Sequence, residues 1–163
     1  MENNTKPTIF LDIDGVLALP AQYYSKKRNI YNAYGFDHKC VRILNDIVEN
    51  TGAEIVLSSD WKLNYDLDTM NNIFFINGIK SYIVHYTPSL WGVKYFNLNE
   101  LEACRAAEIL QYVKNHNISN YVAIDDLKLS QWIDDEHFVW CKRMNEGIKQ
   151  SSIKEKIIKR LSI

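Results

Sequence analysis

Two aspartates separated by one isoleucine, Asp12-Ile13-Asp14, followed at once by Gly15, are the first residues in this chain equipped for chemistry. They end an apolar run over residues 8–13 that reads as a buried strand. Residues two apart on a strand point the same way. The spacing therefore predicts that Asp12 and Asp14 approach one ligand together while Ile13 packs on the other face. Gly15 lets the backbone turn sharply, and close to that ligand, just beyond the pair.

Two other strand-like runs end in polar residues. Residues 53–57 are closed by Ser58-Ser59-Asp60, and residues 121–124 by Asp125-Asp126. In an open α/β sheet, ligands bind at the carboxyl ends of the strands. Three strands thus deliver Asp12 and Asp14, Ser58 and Ser59, and Asp125 and Asp126 to one edge. Carboxylates crowded together raise one another's pKa and need a counter-charge. A divalent cation meets that need, and oxygen-only ligands favour a hard ion such as Mg²⁺. Magnesium usually keeps sites for water and substrate phosphate, which points to phosphoryl chemistry. One carboxylate can attack phosphorus; the other can protonate the leaving oxygen and then activate water.

The elements that must position these groups alternate along the chain. Strands are predicted at 8–13, 53–57, 81–86, 121–124 and 138–141. A helix follows Asp37 as N-cap, with Val41, Leu44, Ile47 and Val48 on one face, and stops at Gly52. Residues 66–77 give a second helix, with Leu67, Met70, Ile73 and Phe74 on one face. The 97–117 region gives a longer one, with Leu101, Cys104, Ala107, Leu110 and Val113 as its expected buried stripe. Ser152-Ile-Lys-Glu155 has the pattern of a capping box opening a last helix. The expectation is one α/β domain over 1–163: a three-layer, Rossmann-like fold with a mostly parallel sheet of about five strands and helices on both faces.

Composition narrows the function classes. The chain has 163 residues, 47% hydrophobic and 24% charged, with a net charge of −1, so no global field directs it to nucleic acid or a membrane. No apolar run reaches the ~20 residues a membrane helix needs, and the first residues lack a signal peptide's apolar core. Cys40, Cys104 and Cys141 read as buried small hydrophobes in a reducing compartment. A cytoplasmic protein with no obligate protein partner is expected. The four histidines, His38, His85, His116 and His137, have no metal-ligand spacing.

With these residues in place, the chain resembles the haloacid dehalogenase (HAD) superfamily of phosphohydrolases. "FLDIDGVL" looks like its first motif, which implies Asp12 as nucleophile and Asp14 as general acid/base. "IVLSS" is similar to the second, giving Ser58, or else Ser59, a hydrogen bond to the phosphoryl group. Arg105 in "EACRAAEIL" matches the third motif's cation, with Lys62 and Lys94 as alternatives. "YVAIDD" resembles the fourth, whose acids bind Mg²⁺ beside Asp12 and Asp14. The analogy makes Asp126 the direct ligand and Asp125 the partner of the cation. A narrower likeness, carried by "LSSDWK", "GI…TP" and "R..EI..YV", is to small HAD domains grouped with RNA-repair proteins. It implies removal of a phosphate from a nucleic-acid end. No room remains for a cap domain beyond a flap at 18–36, and an open site suits a polymeric substrate.

"YYSKKRNIY" is the one basic and aromatic cluster, and Lys26, Lys27 and Arg28 could follow a substrate backbone, with a tyrosine stacking on a base. A solvated loop is the plainer account. Trp61 could flank the site or simply pack. The competing functions are a phosphatase of small metabolites, a receiver-like signalling domain phosphorylated on Asp, and a non-catalytic phosphate-binding protein. A receiver would be expected to carry its acceptor Asp on a middle strand, where this chain offers Ser58 and Thr87.

Overall fold

Five short apolar runs pair into one sheet in a computed structural model that describes residues 6–23, 34–90 and 97–162. The strands are β1 (Thr8–Leu11), β2 (Glu54–Leu57), β3 (Ile83–Tyr86), β4 (Tyr121–Asp125) and β5 (Phe138–Trp140). Every pairing is parallel, in the order β3-β2-β1-β4-β5. Parallel neighbours need crossovers. Helices supply those from β1 to β2, α1 (Pro20–Tyr23) and α2 (His38–Thr51), from β2 to β3, α3 (Leu67–Ile76), and from β3 to β4, α4 (Leu98–His116). β4 reaches β5 without one, and α5 (Ile153–Leu161) follows the last strand. The result is the three-layer α/β arrangement. None of the described helices is long and apolar enough to cross a membrane.

Period-2 alternation divides the core in two. Ile9 and Leu11 of β1 join Leu44 and Ile47 of α2 and Ile157 and Leu161 of α5. Phe10 faces the other way and meets Val56, Ala123 and the α4 residues Ala106, Ile109 and Tyr112. Its ring stands edge-on to Tyr112 and Tyr121, each at 5.6 Å. α2 begins where Asp37 accepts the backbone N–H groups of Lys39 and Cys40, and ends where Gly52 turns left-handed at φ 66°.

Two expectations about local structure give way. The buried residues of α4 are Arg105, Ala106, Glu108, Ile109 and Tyr112, while Leu110 is exposed. The helix is rotated from the purely apolar stripe because it also carries two charged side chains inward. At α5, Ser152 lies in the left-handed region at φ 64° and its hydroxyl bonds Ser151 O, so no capping box forms.

The inward charges of α4 fasten it to the sheet. β2 is followed by a 3-10 turn, Asp60–Leu63, which carries Lys62. The Lys62 ammonium donates to Glu108 Oε2 at 2.6 Å, to Thr87 Oγ1 at 3.0 Å and to Pro88 O at 3.0 Å. Glu108 Oε1 accepts the Leu90 N–H at 2.9 Å. Burial depresses the Lys62 pKa, and Glu108 opposes that shift. One ion pair therefore clamps α4, the turn after β2 and the end of β3. Both side chains are 2% exposed, so Glu108→Ala leaves a buried ammonium without its counter-ion. The expected cost is about 3–5 kcal/mol, read as a lower urea midpoint at unchanged m-value; a loss under about 1 kcal/mol would contradict the clamp.

Candidate active site

Level strand ends build the site. Leu11 pairs with Leu57 on one side and Ile124 on the other, so Asp12, Ser58 and Asp125 leave the sheet side by side. The ladder runs one step further, with Asp12 N–H on Ile124 O at 3.0 Å and Ser58 N–H on Leu11 O at 2.9 Å. Alternation from Phe10, Val56 and Ala123 aims these three residues at α4. Arg105 is waiting there. Its Nη1 donates to Asp125 Oδ2 at 2.8 Å and to Ser58 O at 2.7 Å, and lies 3.3 Å from Asp12 Oδ1. Its Nη2 donates to Asp60 Oδ1 at 3.0 Å.

The local charge balance is negative. Carboxylate oxygens of Asp12, Asp125 and Asp126 lie within 4.8 Å of one another. Burial pushes the Asp12 pKa up against the pull of Arg105. Burial and the neighbouring Asp12 hold Asp125 well above the usual carboxylate range. Asp126 is pushed up to about 7, by burial and then by Asp12. The Arg105 pKa is also raised: against its burial, Asp125, Asp12 and Asp60 favour the positive form. One guanidinium does not neutralise three acids, and a divalent cation would complete the set. Asp125 spends Oδ2 on Arg105 and Oδ1 on the Leu127 N–H at 2.9 Å.

Asp14 departs from the strand geometry expected of it. β1 ends at Leu11, and Ile13 O accepts the N–H groups of Val16, Leu17 and Ala18, which folds the chain back. Asp14 is therefore carried on an exposed turn, outside the three-acid group. Its Oδ2 accepts the Trp61 indole N–H at 2.9 Å. Trp61 is in turn held edge-on against Phe36, with ring centroids 5.7 Å apart. The tryptophan both packs and reaches the site. Asp14 stays near enough to Asp12 to add slightly to its raised pKa. Gly15 has φ 72°, and a Cβ there would overlap the Asp126 carboxylate.

Ser58 and Ser59 are each 1% exposed; the Ser58 hydroxyl has no hydrogen-bond partner among the described residues, and the Ser59 hydroxyl faces Asp12, whose ionised form it favours. Buried hydroxyls are normally paired, so Ser58 is available to an oxygen-rich ligand at this edge, with Ser59 beside it against Asp12. The candidate Lys62 is elsewhere, its ammonium taken by Glu108 and the end of β3. Lys26, Lys27, Arg28 and Lys94 lie outside the described residues. Sequence reasoning passed over Asp60, Glu108 and Trp140, whose indole N–H donates to Asp126 O at 2.9 Å. Only Glu108 left a signal, one helical turn past Arg105.

A family model described as the HAD domain in Swiss Army Knife RNA repair proteins matches residues 8–153. No curated protein and no solved structure matches the chain. The family match takes in β1 through the first residue of α5, and so every strand end that contributes to the acid cluster. The chain belongs to the family of HAD domains found in Swiss Army Knife RNA repair proteins.

Proposed function

We propose that the protein is a magnesium-dependent phosphohydrolase that forms a phosphoaspartate on Asp12 and removes a terminal phosphate from a polynucleotide. The observation that carries this reading is the clustering of Asp12, Asp125 and Asp126 beside one buried guanidinium, with the unpartnered Ser58 hydroxyl and the Ser59 hydroxyl against Asp12 at the same edge. Membership of a HAD family found in RNA-repair proteins supports the reaction class and the polymeric substrate.

Each residue then has a distinct task. An Asp12 oxygen attacks phosphorus, forming the Asp12–phosphorus bond as the bond to the leaving oxygen breaks. Asp14, exposed and held by Trp61, gives its proton to that leaving oxygen. It later takes a proton from the water that attacks phosphorus, which releases inorganic phosphate and restores Asp12. Ser58 and Ser59 donate to the phosphoryl oxygens. Arg105, fixed by Asp125 and Ser58 O, balances the charge on Asp12 as it changes. Asp12 and Asp126 would hold Mg²⁺, with Asp125 kept mainly for Arg105 and Asp14 at most an outer contributor. Bound there, the ion would neutralise phosphoryl charge and orient the group for in-line attack.

Asp12→Asn should lower phosphate release by at least about 10³-fold. It should fold as well as the parent, because a neutral isostere relieves like-charge crowding. Full turnover by the variant would reject the nucleophile. Metal binding has a readout free of catalysis. Asp126 has a folded pKa of about 7, above its ordinary value of 3.8. Between those values the folded state binds more protons than the unfolded one, so stability of the metal-free protein falls as pH rises across that window. Mg²⁺ replaces those protons. It should raise the thermal midpoint more at about pH 7.5 than at about pH 5, and Asp126→Asn should remove most of the difference. A pH-independent shift would argue against binding at these acids. The substrate class is tested by comparing kcat/KM on 3′- and 5′-phosphorylated oligonucleotides with that on mononucleotides and sugar phosphates. Oligonucleotides are expected to lead by about tenfold or more, as one well-stacked base would supply. Parity would favour small metabolites.

A further inference from the structure

Trp140 ends the edge strand β5, and its register partner is Asp125. It follows Phe138 in the alternation, so its ring lies on the α4 side of the sheet, with Asp125 and Arg105. The indole N–H bonds Asp126 O at 2.9 Å, which places this ring immediately beside the acid cluster. The ring is partly exposed. Two exposed lysines flank it: Lys128 Nζ is 5.4 Å and Lys142 Nζ 5.8 Å from its centroid. Neither lysine forms an ion pair among the described residues; Glu102 touches only the Lys128 backbone N–H, at 3.2 Å.

The surface continues away from the site. A cleft of about 370 Å³ runs along the free edge of β5, lined by Trp140, Lys142, Lys156 and Arg160, with Asp135 as its one acid. Arg160 is anchored at the far end by donating to Phe138 O at 2.6 Å. An aromatic face flanked by exposed cations, leading into a basic edge groove, is an arrangement that binds single-stranded nucleic acid. The aromatic face takes a base of any identity, and the cations take backbone phosphates. A sugar monophosphate has no second phosphate or base to reach this surface, and a mononucleotide has no adjoining nucleotide to extend along it.

We propose that Trp140, Lys128 and Lys142 form a binding site for the nucleotides adjoining the scissile phosphate of a single-stranded polynucleotide, the indole stacking on a base and the lysines contacting the backbone. This rests on the reading of the substrate as a polynucleotide end. The indole bond to Asp126 O means that the strand is gripped next to a residue of the acid cluster.

The test is direct binding of a fluorescein-labelled single-stranded RNA of about ten nucleotides, followed by anisotropy. Lys128→Gln/Lys142→Gln should weaken binding by about tenfold and reduce the salt slope by about 1.4, two phosphate contacts' worth. Trp140→Leu should erase the preference for the natural strand over one made abasic beside the terminal phosphate, expected at about 5- to 150-fold in the parent. Unchanged affinity and slope in the lysine variant would overturn the site. So would equal binding of an acidic peptide of matched charge. Phosphate release from an aryl phosphate by the parent, measured alongside, separates the two readings. Release together with undiminished RNA binding by the variant overturns this site and leaves the phosphohydrolase. Weakened RNA binding with no release by the parent keeps the site and overturns the chemistry.

Discussion

A single buried guanidinium holds this site together. Arg105 is 6% exposed and bonds Asp125, Asp60 and Ser58 O while lying against Asp12. A buried cation is tolerable only with close anions, and buried anions only with a cation. Each side of the cluster is thus the condition for the other. The remaining architecture follows from the need to bring them together. Level register puts the carboxylates in a row, and alternation points them at α4. The Lys62–Glu108 pair sets the helix bearing Arg105 at a fixed distance. Burial, and for Asp125 and Asp126 the neighbouring Asp12, pushes the pKa values of the cluster's carboxyl groups up against the pull of Arg105.

The two faces of the sheet divide the work. The α2/α5 face packs Ile9, Leu11, Leu44, Ile47 and Ile157, and its buried carboxylate, Asp37, sits at the helix cap paired with Lys149. The α4 face takes Phe10, Val56 and Ala123 at depth and gives way at its upper edge to Arg105, Asp12 and Asp125. Both layers bury apolar side chains and sustain the fold. The acid cluster is built on the α4 side alone, at the ends of strands whose other face packs on α2 and α5.

Much of this was legible in advance because strand ends and helix caps are local signals. The apolar runs located all five strands, and Asp37 and Gly52 marked both ends of α2. Placement of Asp12, Ser58 and Asp125 at one edge followed from strand alternation with helices alone. What escaped was set by contacts distant in sequence. Hydrophobic periodicity counts charged residues as solvent-facing, so it turned α4 away from the face carrying Arg105 and Glu108. Residues 8–13 read as one strand, whereas the strand stops at Leu11 and the turn on Ile13 O carries Asp14, which stays near Asp12 while accepting the Trp61 N–H. Ser152 has the residue type of a cap but a left-handed backbone. No local pattern announces an indole bonded to a carbonyl 14 positions away, as between Trp140 and Asp126.

Gly15 shows how far a small residue can act. Its bare Cα leaves the volume that the Asp126 carboxylate fills, although the two positions are far apart in the chain. Asp126 keeps its station because there is nothing to displace it. The pair is therefore a single steric unit: a side chain at position 15 would evict the acid, and shortening the acid would leave a hole against the glycine. The turn after the first strand and the turn after the fourth are sterically coupled at this point: bulk added to one must be taken from the other.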